Sequence, residues 1–512
     1  MAPLQLDSNL LLLSVVLVVS CFAIVRNVWS RHNRSLPPSP PALPIIGNLH
    51  QLGRNHYHRN LQALARRHGP LFLLRLGSVP TLVVSSASVA EEVLRAQDHV
   101  FCGRPPQRTA RGLLYDCRDV AFSPYGERWR QLRRIAAVRL LSAKRVDSFR
   151  ALREQEVASF LDRIRSAAAN CGGKRRPPGG VNMSELLVGL TYAVISRAAF
   201  GNKLGGMEPG AVRAMMRETS DLLETIAVGD VFPRLRWVDW ATGLDARIER
   251  AAGKLDAVLE GALREHEKGG GDGEAGDLLD DLLSAVKEGG AGLNLDRTDV
   301  KGLIADLFLA GTDTTSNTME WTMAELVKNP DEMEKAQAEV RQVVGQHGSV
   351  VTEEKLSAMT RLQAAMKEAL RLHPPVPMLV PREVVHDTKL RGYDIPAKTR
   401  VLVNAWAIGR DDRSWGEDAG AFRPERFVRD AAGIDYGGKD LRFIPFGAGR
   451  RGCPGVGFAT RLAELALANM LYHFDWELPD GQDVDSFEVV ESSGISAGLK
   501  CPLTLVPKPL RA

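Results

Sequence analysis

Cysteine is scarce and unpatterned: the six, at positions 21, 102, 117, 171, 453 and 501, form no Cys-x-x-Cys pair and no dense cluster. A disulfide framework is excluded, and the chain reads as one from a reducing compartment. Charge of one sign is missing as well. The 66 Lys and Arg stand against 62 Asp and Glu, too even a balance over this length for a nucleic-acid binder. About half of the small excess is local, because Arg26, Arg31 and Arg34 face only Asp7 in the first 36 residues. No repeat of 20 to 50 residues is present, and no regular βαβ alternation, so neither a solenoid nor a doubly wound sheet fits. With 44% hydrophobic and 25% charged residues, a disordered chain and a many-helix transporter are also excluded.

What is there begins with Leu10–Val25, sixteen residues without a charge, followed by Arg26, Arg31, His32 and Arg34. Arg26 follows the run directly where a cleavable signal would carry a small-residue site, so the segment is expected to be a retained membrane anchor, residues 1–29. Basic residues on its C-terminal side put the body in the cytoplasm, leaving the sequons at Asn33 and Asn182 unmodified. Residues 30–49 read as a basic, proline-rich hinge. Five prolines between Pro37 and Pro44 favour a stiff extended spacer that sets a direction.

Residues 50–512 are expected to form one large, mainly α domain with minor β-sheets. Helical spacing dominates Leu61 to Asn329, with Gly-rich breaks at Asn170–Gly180 and Lys268–Gly276. Strand-like alternation is confined to Leu71–Leu76 with Thr81–Ser85, and Leu390–Tyr393 with Arg400–Asn404. A long helix is expected between Asp299 and Asn329, closed by Pro330. Its middle, Ala310-Gly311-Thr312-Asp313-Thr314-Thr315, is poor in helix formers, and a kink or opened groove is expected there.

The decisive motif is Phe446-Gly447-Ala448-Gly449-Arg450-Arg451-Gly452-Cys453-Pro454-Gly455. Chance would produce F-x-x-G-x-R-x-C-x-G on the order of 10⁻⁴ times in such a chain. Gly447, Gly449 and Gly452 also satisfy the dinucleotide fingerprint G-x-G-x-x-G, with Asp475 near the offset of a ribose ligand. Too little chain follows Asp475 for the second half of such a sheet, and the fingerprint does not require Phe446, Arg451 or Cys453.

The chain resembles the cytochrome P450 family, and its closest likeness is to plant microsomal A-type haem-thiolate monooxygenases. The resemblance implies a Cys453 thiolate on the iron of haem b, with the glycines letting backbone approach the macrocycle and Phe446 within the same cofactor-binding loop. It places Trp129, Arg133, Arg382 and Arg451 as propionate partners. Glu368-Ala369-Leu370-Arg371 is the family's E-x-x-R, and Arg426 in Pro424-Glu425-Arg426-Phe427 completes a charge brace behind the haem loop. Both E-x-x-R and W-x-x-x-R recur elsewhere, at Glu92–Arg95, Glu127–Arg130 and Trp406–Arg410, so order along the chain selects among them.

By the same resemblance Asp313 and Thr314 are the catalytic acid–alcohol pair that relays protons for O–O cleavage. The implied partners are O2, a small apolar substrate, membrane lipid and NADPH-cytochrome P450 reductase. Arg128, Arg130, Arg134, Arg139, Lys144 and Arg145 could form the docking face for that reductase. Substrate-lining stretches are expected at Arg104–Tyr125, Leu303–Leu309, Val376–Val380 and Gly494–Gly498. The last also matches G-x-S-x-G, but no acid and then His follows it as a hydrolase requires. The expected setting is the endoplasmic reticulum membrane, single-pass, with a specialised metabolite as substrate. Two alternatives stay open: a haem-thiolate isomerase or dehydratase acting on hydroperoxides, and a non-catalytic membrane-anchored haem protein.

Overall fold

The computed structural model describes residues 35–53, 56–171, 180–201, 209–268, 276–287, 295–345, 350–479, 482–484, 487–492 and 494–510. The apolar leader, its basic flank, and the cores of the Gly-rich breaks at 172–179 and 269–275 lie outside these residues.

The proline segment runs against the body. Leu73 N donates to Pro38 O at 2.8 Å, and Asn48 Nδ2 donates to Pro40 O and Pro41 O at 3.3 and 3.2 Å. Helix α1 (Tyr57–His68) then leads into β1 (Leu71–Leu76) and β2 (Val79–Val84), an antiparallel hairpin of mostly apolar residues. The remaining helices used below are α2 (Glu127–Ile135), α3 (Met183–Phe200), α4 (Pro209–Leu223), α5 (Leu244–Lys268), α6 (Arg297–Lys328), α7 (Thr360–Leu372) and α8 (Val456–His473).

The four-stranded sheet has the order β1-β2-β4-β3, where β3 is Arg382–Glu383 and β4 is Arg400–Val403. This corrects one expected pairing. Leu390–Tyr393 is the turn of a separate hairpin, Thr388–Leu390 with Tyr393–Ile395, because Arg391 and Gly392 take positive φ of 50° and 82°. Arg400–Val403 pairs instead with β2 and β3.

The long helix α6 organises the core. Asp296 caps it, accepting from Thr298 N and Asp299 N at 2.9 and 3.0 Å, while Asp299 reaches back to Asp296 N. At 32 residues it runs for about 48 Å at ~1.5 Å per residue. It packs against α3, α7 and α8, and Trp321, Met319 and Met323 on its C-terminal half are fully buried. The expected weak middle stays helical. Thr312 and Thr314 donate back to Phe308 O and Ala310 O at 2.8 and 2.6 Å, yet the α-helical assignment runs unbroken. Gly311 serves packing, since a Cβ there would stand 2.7 Å from Ile195 Cδ1 on α3.

Among the described residues only α3 is long and apolar enough to cross a membrane, and with 61% of it buried it belongs to the core. The fold is helix-rich with small sheets, as expected.

Candidate active site

Cys453 closes a tight turn at the head of α8. Its N–H donates to Phe446 O at 2.9 Å, which fixes the loop, and Phe446 sets its ring edge against Tyr436 with centroids 5.7 Å apart. Gly447 and Gly449 adopt φ of 69° and 68°, conformations that glycine alone takes without strain. A Cβ on Gly449 would also collide with Leu94 O and come within 2.9 Å of the Asp98 carboxylate.

The thiol sulfur accepts the N–H of Gly455 at 3.3 Å. Burial pushes the thiol upward, while that amide and the Arg133 guanidinium favour the thiolate. Cys453 keeps accessible surface although it lies deep in the protein, as a residue lining an internal chamber does. The middle of α6 has the same character: Ala310 is exposed, and Asp306, Leu307, Leu309 and Gly311 to Thr314 are half-buried, between buried flanks.

Four arginines gather beside this loop. Arg451 donates to Cys102 O, Val120 O and Ser123 O at 2.8, 3.1 and 2.7 Å, and lies 4.2 Å over the Trp129 ring. Burial, offset in part by neighbouring acids, brings it down to about 10. Trp129 Nε1 donates to the same Val120 O at 3.1 Å. Arg382 is held by Asp98 Oδ1 at 3.3 Å and Ala448 O at 2.8 Å. Arg133 faces both Cys453 and Arg451. Arg104, fully enclosed, donates to Ala121 O, Val380 O and Pro381 O. Burial lowers Arg104, Arg133 and Arg382 as well. Buried cations answered mainly by carbonyls and by Asp98 and Asp119 make a site built for an anion.

The expected lining stretches converge. Arg104 bonds Val380 O, Asp306 on α6 accepts Val120 N, and Ala497 is bonded to both Pro375 O and Trp321 Nε1. Asp313 faces α4, where it meets Ser220, Arg217 and Arg213; burial raises its carboxyl above the ordinary range. Thr314 Oγ1 spends its proton on Ala310 O.

Behind the loop, Glu368 accepts Arg371 Nε and Nη2, both at 2.7 Å, and Arg426 Nε at 3.3 Å. Arg371 also donates to Gly409 O, Ala419 O and Ala421 O, and Arg426 to Trp415 O and Asp418 O. These bonds tie the segment leading to the Cys453 loop onto α7.

Sequence reasoning did not single out Asp98, which also accepts Arg450 N at 3.0 Å, nor Arg104 as an individual site residue, nor the Asp119–Asp306 pair. No local motif marks them, because their partners are remote in the chain.

A thiol supported by an amide and a guanidinium, beside a pocket of buried arginines, fits haem and its propionates; the class is a haem-thiolate enzyme. The comparisons agree. The model described as Cytochrome P450 matches residues 37–496. The chain is 49% identical over 469 residues to Cytochrome P450 71A1 of Persea americana, covering 90% of this chain and 91% of that one. It is 42% identical to a 3-beta-hydroxylase of Tanacetum parthenium, covering 97% and 98%. It is 41% identical to an indoleacetaldoxime dehydratase of Arabidopsis thaliana, covering 92% and 93%. A solved zebra fish cytochrome P450 with progesterone matches at a TM-score of 0.73 and 29% identity, covering 88% of this chain and 99% of that one. The chain belongs to the cytochrome P450 family, and it is a haem-dependent monooxygenase oxidoreductase.

Proposed function

We propose that the protein hydroxylates, or otherwise oxidises, a small apolar specialised metabolite with O2 and electrons from NADPH-cytochrome P450 reductase. The observation that carries the reading is Cys453 in a glycine turn at the head of α8, with the Gly455 N–H on its sulfur and the Arg133 guanidinium near enough to favour the thiolate. Cys453 is the iron ligand, and Phe446 shapes its loop. Arg133, Arg382, Arg451 and Trp129 hold the propionate edge. Bound haem supplies dioxygen activation, to which a thiolate ligand contributes electron density that favours O–O cleavage. Asp313, whose carboxyl burial raises above the ordinary range, is the acid of the relay, and Thr314, whose Oγ1 donates to Ala310 O and so offers its lone pairs, is the alcohol.

Leu303–Leu309 and Val376–Val380 are almost wholly apolar, which suits an apolar substrate. The 3-beta-hydroxylase among the relatives is consistent with hydroxylation. A relative named as a dehydratase favours a second reading, rearrangement or dehydration without net oxygen insertion. Turnover under ¹⁸O2 with reductase and NADPH separates the two: one labelled oxygen in the product supports the first, and an unlabelled product no more oxidised than its substrate overturns it.

Residues 1–29 form the anchor, 30–49 the hinge and 50–512 the catalytic domain, at the endoplasmic reticulum and facing the cytoplasm. A set of exposed apolar side chains supports lipid contact: Ile45 at 77%, Trp237 at 63% and Trp240 at 74%, with Leu43, Ile46 and Leu235. Gly77 N bonds Ile46 O and Ser78 N bonds Val231 O, so the β1–β2 turn joins the hinge to the segment leading into Trp237. Of the basic residues read as a reductase face, Arg128 and Arg145 are paired with Asp299 and Asp281. Arg130, Arg134 and Lys144 remain exposed for an acidic partner. Neutralising those three raises the reductase concentration at half-maximal turnover, whereas an unchanged value removes them from the interface.

A further inference from the structure

The loop from Asp119 to Ser123 supplies the carbonyl groups on which three site side chains rest. Val120 O accepts both Trp129 Nε1 and Arg451 Nη1, Ser123 O accepts Arg451 Nη2, and Ala121 O accepts Arg104 Nε. The loop has no regular secondary structure, so its own amides need partners from elsewhere. Asp306 on α6 provides them, taking Val120 N at 2.6 Å and Ala121 N at 3.3 Å through one oxygen. Asp119 Oδ2 takes Phe122 N at 2.8 Å. One helical turn before Asp306 stands Gly302, where any Cβ would collide with Arg118 O, so the loop lies directly on the helix.

Asp119 is wholly buried, and its Oδ1 has no N–H or hydroxyl donor. The Asp306 carboxyl adjoins the Asp119 carboxyl. Two adjoining carboxylates buried this deeply repel when both are ionised, and one proton shared between them would satisfy the orphaned oxygen. Burial raises both groups, Asp306 further because Asp119 adds its charge. The other titratable groups around them are Arg104 and Arg451, which face Asp119, and the Cys117 thiol, itself pushed up to about 12 by burial.

We propose that Asp306 is a positioning residue: sharing one proton with Asp119, it clamps the 119–123 loop to α6 and thereby sets Arg451 and Trp129 at the cofactor edge. The clamp rests on the haem-thiolate reading of the site. It acts on the cofactor edge through the loop.

The test uses the full-length, haem-loaded chain and reads haem transfer to excess apomyoglobin. Asp306→Asn accepts the same amides and donates to Asp119 Oδ1 without a titratable proton. It is expected to keep haem within about twofold of wild type, while Asp306→Ala releases it at least about tenfold faster. Wild-type release should also accelerate as pH rises above the ordinary carboxylate range, because a carboxyl raised in the folded state loses its contribution as pH climbs through the raised value. In Asp306→Asn that dependence is weaker, because Asp119 alone remains to titrate. Equal release from all three proteins, or Asn as leaky as Ala, overturns the clamp. If the Ala variant does not fold, the Asn variant decides alone: a pH profile as steep as wild type's overturns the proposal. A wild-type chain whose reduced carbon monoxide complex lacks the thiolate band overturns the site reading instead.

Discussion

Arg371 closes a bidentate pair on Glu368 one helical turn away, with Nε and Nη2 each 2.7 Å from a carboxylate oxygen and neither side chain reaching solvent. Planar guanidinium geometry makes this possible, and an ammonium cannot reproduce it. The pair is the hub through which α7 grips the backbone at Gly409, Ala419 and Ala421.

Glu368→Ala should therefore cost about 3–5 kcal/mol, because it strands Arg371 and Arg426 as unpaired buried charges. Arg371→Lys should lose most of the same stability despite keeping its charge. The measurement is the yield of folded, haem-loaded protein by carbon monoxide difference spectrum; a Lys variant at wild-type yield contradicts the brace.

The second prediction concerns proton delivery. Thr314→Ala should lower the fraction of NADPH electrons that reach product by about tenfold, with NADPH oxidation itself continuing. Burial raises Asp313, so it keeps its proton to higher pH than an exposed carboxyl. Coupling should fall as pH rises through that raised value, and Asp313→Asn should remove the dependence. Product and NADPH measured together across pH decide the matter.

How far the site was legible depended on chain distance. Cys453, Phe446 and the turn glycines sit in one ten-residue stretch, and Glu368 and Arg371 are three apart, so local sequence carried them. Arg426 lay within reach only through the family resemblance. Asp98 could not be found: its partners Arg382 and Arg450 are 284 and 352 residues away, and only the folded sheet and α8 loop bring them together. Strand assignment failed at Leu390–Tyr393 because alternation of side chains says nothing about the left-handed backbone at Arg391 and Gly392. Threonine content correctly pointed to hydroxyls that bond backward in α6, at Phe308 O and Ala310 O, within a stretch that stays helical.

Lipid contact gives the third prediction. Trp237 and Trp240 are 63% and 74% exposed on a short helix beside the hinge, an arrangement that leaves large apolar area in water unless a bilayer covers it. In vesicles of brominated lipid the intrinsic fluorescence of a Trp29→Phe chain, free of the anchor's own tryptophan, should be quenched, and adding Trp237→Ser and Trp240→Ser should remove most of that quenching. Equal quenching in both proteins places the lipid surface elsewhere.

The last prediction is an acid lability far from the haem loop. Glu491 receives His58 Nε2 and Arg59 Nε at 3.0 Å and Trp406 Nε1 at 3.2 Å, with His373 Nδ1 3.6 Å away. It staples α1 to the C-terminal segment whose Ala497 meets Trp321 of α6. Burial opposes the charge, but His373, His58 and Arg59 outweigh it and hold the carboxyl well below the ordinary range. A depressed carboxylate contributes stability above its unfolded value of about 4.3 and loses it as pH falls towards the folded value. Glu491→Gln should thus cost roughly 2 kcal/mol at neutral pH, and the gap from wild type should narrow in acid. Thermal unfolding of both proteins between neutral pH and the acid limit of folding measures this; a gap that stays constant across the range shows that Glu491 is not held ionised by its neighbours.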